Sequence, residues 1–268
     1  MATYNGEGYL EEQLDSLLRQ NPGDGIDYHI YVRDDGSSDT TPAILERYSR
    51  RYDNIHIVAD EVAHRGCRDG FLYLAGKVDA DCYFFSDQDD VWNPDKVATT
   101  LRELIKYDDA LPAMVHTDLE VVDRNLNTLR PSFFRMTGFN PEYSSSLGYT
   151  CAYSTVTGCT VAFNRAARDL LIKAPLTTCL HDRLLSLVVL AGGGTVGCLD
   201  KATIKYRQHS GNAVGAVDGH GFVKSLDQWK MSWRRNVRWY RDVRAVTGWG
   251  LAAYLMNKIR YIVKRRLG

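Results

Sequence analysis

The sequence predicts an α/β protein with a mostly parallel sheet flanked by helices, and three observations carry that prediction. Strand-like and helix-like segments alternate through the first half of the chain, the pattern that builds parallel sheets through helical crossovers. Two of the strand-like runs stop abruptly in acidic clusters, Asp34-Asp35 and Asp87-Gln88-Asp89-Asp90, and open α/β sheets bind ligands beyond the carboxyl ends of their strands. The 268 residues are 44% hydrophobic and 25% charged, the composition of a folded chain sized for one large domain, or one domain with an appendage.

Each element has a local reason. Leu10, Leu14, Leu17 and Leu18 share one helical face, and Asn21-Pro22-Gly23 ends that helix. Residues 28–32 read as a buried strand that runs into Asp34-Asp35-Gly36-Ser37. A helix follows over 40–51, with Asp39 or Thr40 as N-cap and Pro42 in its first turn. Strands at 55–58, 83–85 and 113–116 alternate with helices at 70–78 and 96–107. Residues 128–150, rich in Pro, Gly, Ser and aromatics, read as a mobile loop, of the kind that closes over a ligand site. Beyond it come a strand at 156–164, helices at 166–173 and 181–190, a strand at 203–209, and helix from 222 onward. The chain starts at Met1-Ala2-Thr3-Tyr4-Asn5, directly at a loop, with no strand ahead of it. That predicts an interior strand missing and sheet edges left open.

Charge divides the chain. Residues 219–268 hold twelve Lys and Arg against Asp227 and Asp242, a net of +10, so the formally neutral total leaves −10 on residues 1–218. We therefore expect a domain over 1–218 and a basic, aromatic helical tail over 219–268. The six cysteines form no CxxC pair, which argues against a zinc knuckle and for buried thiols in a reducing cytosol. No apolar run reaches the roughly 18–20 residues of a membrane span, and no signal peptide opens the chain.

The acidic strand ends carry the chemistry. In an extended segment Asp87 and Asp89 point to the same side, and crowded carboxylates repel unless a cation relieves them. Oxygen ligands in small number suit Mg²⁺ or Mn²⁺ shared with a phosphate; the bland alternative is an acidic loop with Asp90 or Asn93 capping a helix. Asp34-Asp35-Gly36-Ser37 would meet a nucleobase imide or ribose hydroxyl, or else is Asx-turn chemistry. Asp182, at a helix start, is a general base or a cap. His209, among polar residues after a strand, offers the nitrogen that two carboxylates lack.

Thr3-Tyr4-Asn5-Gly6, Asp34-Asp35-Gly36-Ser37, Ser86-Asp87-Gln88-Asp89-Asp90, Thr157-Gly158-Cys159, His181-Asp182 and Tyr206-Arg207-Gln208-His209 occur in this order. The ordered set resembles family 2 glycosyltransferases, and most nearly their bacterial rhamnosyltransferase-like members, over residues 1 to about 215. The resemblance implies a GT-A fold, a nucleotide-diphosphate sugar donor, a divalent metal and inversion at the anomeric carbon. By position it implies Thr3, Tyr4, Asn5 and Glu7 in the base and ribose pocket and Asp35 on the base. Asp87 falls on ribose or donor sugar, Arg65 or Arg68 (Arg68 preferred) on the diphosphate, Asp89 and His209 on the metal. Asp182 becomes the base, with Gly158, Cys159 and His181 beside the acceptor. Three departures stand out: no strand before Thr3, Gly70 where relatives often carry Asn, and Arg183 where they often carry Trp.

The tail interleaves Trp229, Trp233, Trp239, Tyr240 and Trp249 with basic residues, and 251–267 mixes Leu, Tyr, Met, Ile and Val with Lys258, Arg260, Lys264, Arg265 and Arg266. That composition suits an interfacial helix pair on an anionic leaflet over two rivals, nucleic-acid binding and a packed helical extension with solvated charge. The resulting expectation is a peripheral enzyme on the cytoplasmic face of the membrane, with dTDP-rhamnose ahead of UDP-sugars as donor and a polyprenyl-linked surface glycan as acceptor. A nucleotidyl- or phosphotransferase would need a Gly/Lys phosphate loop, which the sequence lacks; an inactive or partner-dependent nucleotide-sugar-binding subunit is the non-enzymatic alternative.

Overall fold

A computed structural model of the chain describes residues 1–153, 156–175, 177–209 and 226–267. The first third is a parallel layer: β1 (Ala2–Thr3), β2 (Ile30–Asp34) and β3 (Ile55–Ile57), in the order β1-β2-β3. It is joined by α1 (Leu10–Leu18) and α2 (Thr41–Arg51). The apolar spacing of α1 is realised as a fully packed face, with Leu10, Leu14 and Leu17 all buried against the core. Next come α3 (Gly66–Lys77), β4 (Cys82–Phe84), β5 (Val91–Trp92) and α4 (Lys96–Leu104). The second half supplies β6 (Ala113–Val122), β8 (Ala162–Asn164), α7 (Arg165–Ile172), α8 (His181–Ala191) and β9 (Thr195–Arg207). Its sheet runs β4-β8-β6-β9-β5, with β6 and β9 parallel and the other neighbours antiparallel. The sheet is therefore mixed rather than mostly parallel. β6, at its centre, is buried along almost its whole length, as a strand covered on both faces must be.

Several expectations are corrected. The start of the chain is not all loop: Ala2 and Thr3 pair in parallel register with Arg33 and Asp34, and the Met1 ammonium donates to the Tyr31 carbonyl at 2.7 Å. Behind Met1 a cavity of about 830 Å³ separates β2 from β4, lined by Ile30, Tyr31, Cys82, Phe84 and Leu101 among others. The stretch read as a mobile loop is largely ordered. It forms β7 (Thr128–Arg130), α5 (Phe133–Thr137), a 3₁₀ turn (Pro141–Tyr143) and most of α6 (Leu147–Ala152). Ser132 and Asn140 cap these short elements through their side-chain oxygens, and Tyr143 and Tyr149 pack against Tyr261. It packs under the C-terminal helix and so gives no support to a closing lid. The strand expected at 156–164 is a 3₁₀ turn (Gly158–Thr160) followed by the three residues of β8.

The tail is two helices, α9 (Leu226–Thr247) and α10 (Leu251–Leu267). They dock on the body rather than hanging from it. Trp239 donates its indole N–H to the Cys151 carbonyl at 2.7 Å, and Asp242 accepts from the Thr178 N–H at 2.8 Å. Val243 and Tyr254 are buried in the same core cluster as α8. Trp239, Tyr240 and Trp249 therefore pack inward, against the expectation of rings at headgroup depth; the side chains of Trp229 and Trp233 lie outside the described residues.

Candidate active site

Two loops meet where β1 and β2 end, and hydrogen bonds stitch them together. Asp34 holds its own turn: its carboxylate accepts from the Ser37 N–H at 2.8 Å, the Ser37 hydroxyl at 2.6 Å and the Thr3 hydroxyl at 3.0 Å. Asn5 accepts from the Ser38 N–H at 2.9 Å and Glu7 from the Thr40 N–H at 3.0 Å. Thr3, Asn5 and Glu7 thus tie the two loops together, while the Tyr4 ring stands 49% exposed, edge-on to His64. Asp35 is buried and fully engaged. It accepts from Arg33 and from the backbone N–H groups of Arg65 and Gly66, at 2.7, 2.7 and 2.9 Å. Burial works to raise its pKa, but Arg33 and these two amides outweigh it and hold the carboxyl below its ordinary range.

The Ser86–Asp90 segment is braced from both sides. Gln88 pairs with the Tyr4 backbone, accepting from its N–H at 2.8 Å and donating to its carbonyl at 3.0 Å. Gly6 permits this, since a Cβ there would sit 2.5 Å from Gln88 Oε1. From the other side Arg207 donates to the Asp89 carbonyl at 3.0 Å and to Glu12 at 2.5 Å, beneath the Tyr9 ring. The turn therefore owes its shape to Gln88, Arg207 and Tyr9. None of the three was among the expected site residues, although Gln88 and Arg207 stand inside the quoted motifs.

Within that frame His209 Nε2 lies 2.8 Å from Asp89 Oδ2, each side chain 15% exposed. Asp87 is pushed up to about 7, first by burial and then by the charges of Asp89 and Asp182. Cys67 locates the centre. Its residue is exposed, but its thiol is hemmed in, and desolvation followed by the charges of Asp87, Asp182, Asp89 and Asp35 pushes it up to about 12. Four carboxylates from three separate parts of the sequence thus face one region. Asp182 sits in the first turn of α8, whose N-cap is Leu180, so it is not the cap; one of its oxygens accepts from the Arg183 N–H at 2.7 Å.

A second acidic group lies deeper. Asp87, Asp90 and Cys159 bring ligand atoms within 4.8 Å of one another. Asp90 and Cys159 are both buried, and burial with neighbouring carboxylates drives both well above their ordinary range. A thiol is a poor ligand for a hard cation, and with both groups buried no side of this set is open to the oxygens of water or phosphate. Asp89 and His209, open to solvent on one side and beside a carboxylate whose proton affinity is raised by burial and then by neighbouring carboxylates, fit Mg²⁺ or Mn²⁺ better.

Two arginines diverge. Arg65 is committed to Asp60, at 2.5 and 2.9 Å. Arg68 makes only looser contacts, to Asp69 at 3.3 Å and Thr177 at 3.4 Å, and its buried Nε has no partner. Gly158, Cys159 and His181 lie behind the carboxylates, all buried. The His181 ring packs on Phe71 and Phe85, and a Cβ at Gly158 would meet its Nε2 at 2.7 Å. Burial lowers the pKa of that imidazole.

This α/β architecture, with acidic side chains gathered at its strand ends, is the GT-A fold of nucleotide-sugar glycosyltransferases. The sequence profile of Glycosyl transferase family 2 matches residues 1–169, and the chain belongs to that family. It is similar to the dTDP-rhamnosyl transferase RfbG of Shigella flexneri, 29% identical over 227 residues that span 81% of this chain and 74% of that one. Among solved structures, S. aureus TarS 1-349 in complex with UDP-GlcNAc superposes with a TM-score of 0.62 at 17% identity, covering 97% of this chain and 70% of the other. The mannosyltransferase PcManGT from Pyrobaculum calidifontis, in complex with GDP-Man and Mn²⁺, gives 0.60 at 16% identity, covering 100% and 74%. At those identities the structures speak to the fold alone.

Proposed function

We propose that the chain is a metal-dependent, inverting glycosyltransferase. It moves a sugar, first of all L-rhamnose, from a nucleotide-diphosphate donor to a hydroxyl of a growing, lipid-linked bacterial surface glycan. The Asp89–His209 contact at 2.8 Å, beside Asp87, carries the reading. Similarity to a dTDP-rhamnosyl transferase supports dTDP-rhamnose ahead of the UDP-sugars. A divalent cation held by Asp89 and His209 would neutralise charge on the leaving diphosphate. Arg68, with its unpartnered Nε, adds a fixed positive charge to the same group. Tyr4 offers its exposed ring to the base, on the wall built by Thr3, Asn5, Glu7 and Asp35, and Asp87 takes a ribose or sugar hydroxyl. The acceptor oxygen bonds to the anomeric carbon as the bond from that carbon to the diphosphate oxygen breaks on the opposite face. The hydroxyl proton passes to the Asp182 carboxylate. Gly158, Cys159 and His181 act from behind by fixing the position of Asp182. We place the reaction at the inner face of the cell membrane, which the 219–268 tail contacts. Among the described residues no helix is long and apolar enough to cross a membrane.

The test is a panel of dTDP-, UDP- and GDP-sugars, with nucleoside-diphosphate release followed with and without Mn²⁺. Release above background from one donor, abolished by chelation and by Asp89→Asn, is expected. Nucleotide binding with no release from any donor, with and without glycan acceptors, would instead mark a binding subunit.

A further inference from the structure

α10 is amphipathic in the wrong sense for a helix that only packs on a core. Its inward face is narrow and aromatic: Tyr254 and Tyr261 are buried, with Asn257 beside them. Its outward face carries Leu251, Leu255, Met256, Ile259, Ile262 and Val263, all exposed, with Ile259 at 61%. At 3.6 residues per turn these six fall on one arc of about 140°. Cations border the arc on both sides. Arg260 is exposed at one edge; exposed Arg265 and half-buried Lys258 stand at the other. The preceding helix adds exposed Arg234, Arg235, Arg238, Arg241 and Arg244, and the only acidic side chain described on either helix, Asp242, is turned inward against Thr178.

Six large aliphatic side chains in contiguous exposure are unusual for a surface helix, since isolated exposed residues need no explanation but a rimmed patch does. A protein partner of mixed charge would leave the flanking cations without counterions. A bilayer surface rich in anionic headgroups satisfies both parts at once: the aliphatic arc enters the acyl boundary and the flanking guanidinium and ammonium groups meet phosphates. We infer that the outward face of α10 is a membrane-docking surface that lies flat on an anionic bilayer. This deepens the proposed function, because it brings the enzyme to the plane of a lipid-linked acceptor. It draws on none of the cleft carboxylates. Of the contact expected from composition it keeps the aliphatic residues of 251–267 and leaves out Trp239, Tyr240 and Trp249, which pack inward.

The experiment is flotation of the full chain with vesicles of phosphatidylcholine alone and of phosphatidylcholine with phosphatidylglycerol. Leu255→Glu/Ile259→Glu is the variant and donor hydrolysis the parallel readout; both positions are exposed and distant from the cleft motifs. Expected are flotation with the anionic vesicles, at least about tenfold less with neutral ones, and about tenfold or greater loss in the variant, with donor hydrolysis unchanged. Failure of the wild-type chain to float with anionic vesicles overturns the inference, as does equal flotation of the variant. So does a wild-type oligomer in solution that the variant dissolves, which would mean that a second copy covers this face. Flotation without donor hydrolysis would leave this surface standing while the glycosyltransferase reading fails.

Discussion

Joining a peptide to the Met1 nitrogen should flatten the pH dependence of stability between about 5 and 8. That nitrogen is buried and its pKa is lowered from 8.0 to about 5, mainly by desolvation, with Asp87 opposing the shift. Below about 8 the unfolded chain takes up a proton that the folded chain refuses until about 5. The unfolded state therefore binds more protons across that window, and stability falls as pH falls through it. Three pH units at about 1.36 kcal/mol each amount to about 4 kcal/mol, complete by pH 5 and absent above pH 8. An amide at the same position keeps the hydrogen bond to the Tyr31 carbonyl and does not titrate. Any stabilisation that aliphatic side chains of the added residues supply does not depend on pH and cancels between the pH values. The assay is urea unfolding at pH 5, 6.5 and 8 of the 268-residue chain and of a variant preceded by three or four Val and Ile residues. His116, a buried imidazole lowered to about 4 by desolvation, titrates in both and cancels in the difference. The variant should gain more at pH 5 than at pH 8, by about 4 kcal/mol. Equal gains at all three pH values would mean that the Met1 amine does not titrate in this window.

Other outcomes follow from the cleft. Asp182→Asn should lower transfer by about 10²- to 10⁴-fold while leaving metal-dependent nucleotide binding unchanged; calorimetry and a transfer assay separate the two, and undiminished transfer would remove Asp182 from its role. Arg68→Met should weaken nucleoside-diphosphate binding by about tenfold or more, from loss of a charge-assisted contact, with little change in affinity for the nucleoside; equal loss for both would point to a packing role. Gly158→Ala should cost about 1–3 kcal/mol of stability, because the added methyl meets the His181 ring; an unchanged unfolding midpoint would show that the ring moves freely.

The repeating elements were legible because periodicity reports burial directly. The spacing of Leu10, Leu14 and Leu17 predicted a helix face that is fully packed, and Thr41–Arg51 and His181–Ala191 fall within a residue or so of expectation. Strand direction was not legible. β4, β6 and β8 pair antiparallel through contacts far apart in sequence, and no local pattern distinguishes that from the parallel half. The region around 128–150 misled for a different reason: its Ser, Asn, Pro and Gly are cap and turn residues of short helices, and the aromatic partner that orders it, Tyr261, lies more than a hundred positions away. In the site, chemistry-bearing residues were visible as motifs, and Asp89 and His209 do meet. Which arginine is committed elsewhere was invisible, because Asp60, which holds Arg65, belongs to no motif. The burial of Cys159 beside Asp90 was equally hidden.

In the proposed reaction Asp89 and His209 together hold the cation that meets the donor's diphosphate. Pulsed electron paramagnetic resonance of Mn²⁺ bound with dTDP reads it directly through magnetic coupling to ligand nitrogen. Coupling to one imidazole nitrogen, lost in His209→Asn while dTDP still binds, is the predicted result. A bound Mn²⁺ without nitrogen coupling, or a spectrum that His209→Asn leaves unchanged, would contradict it.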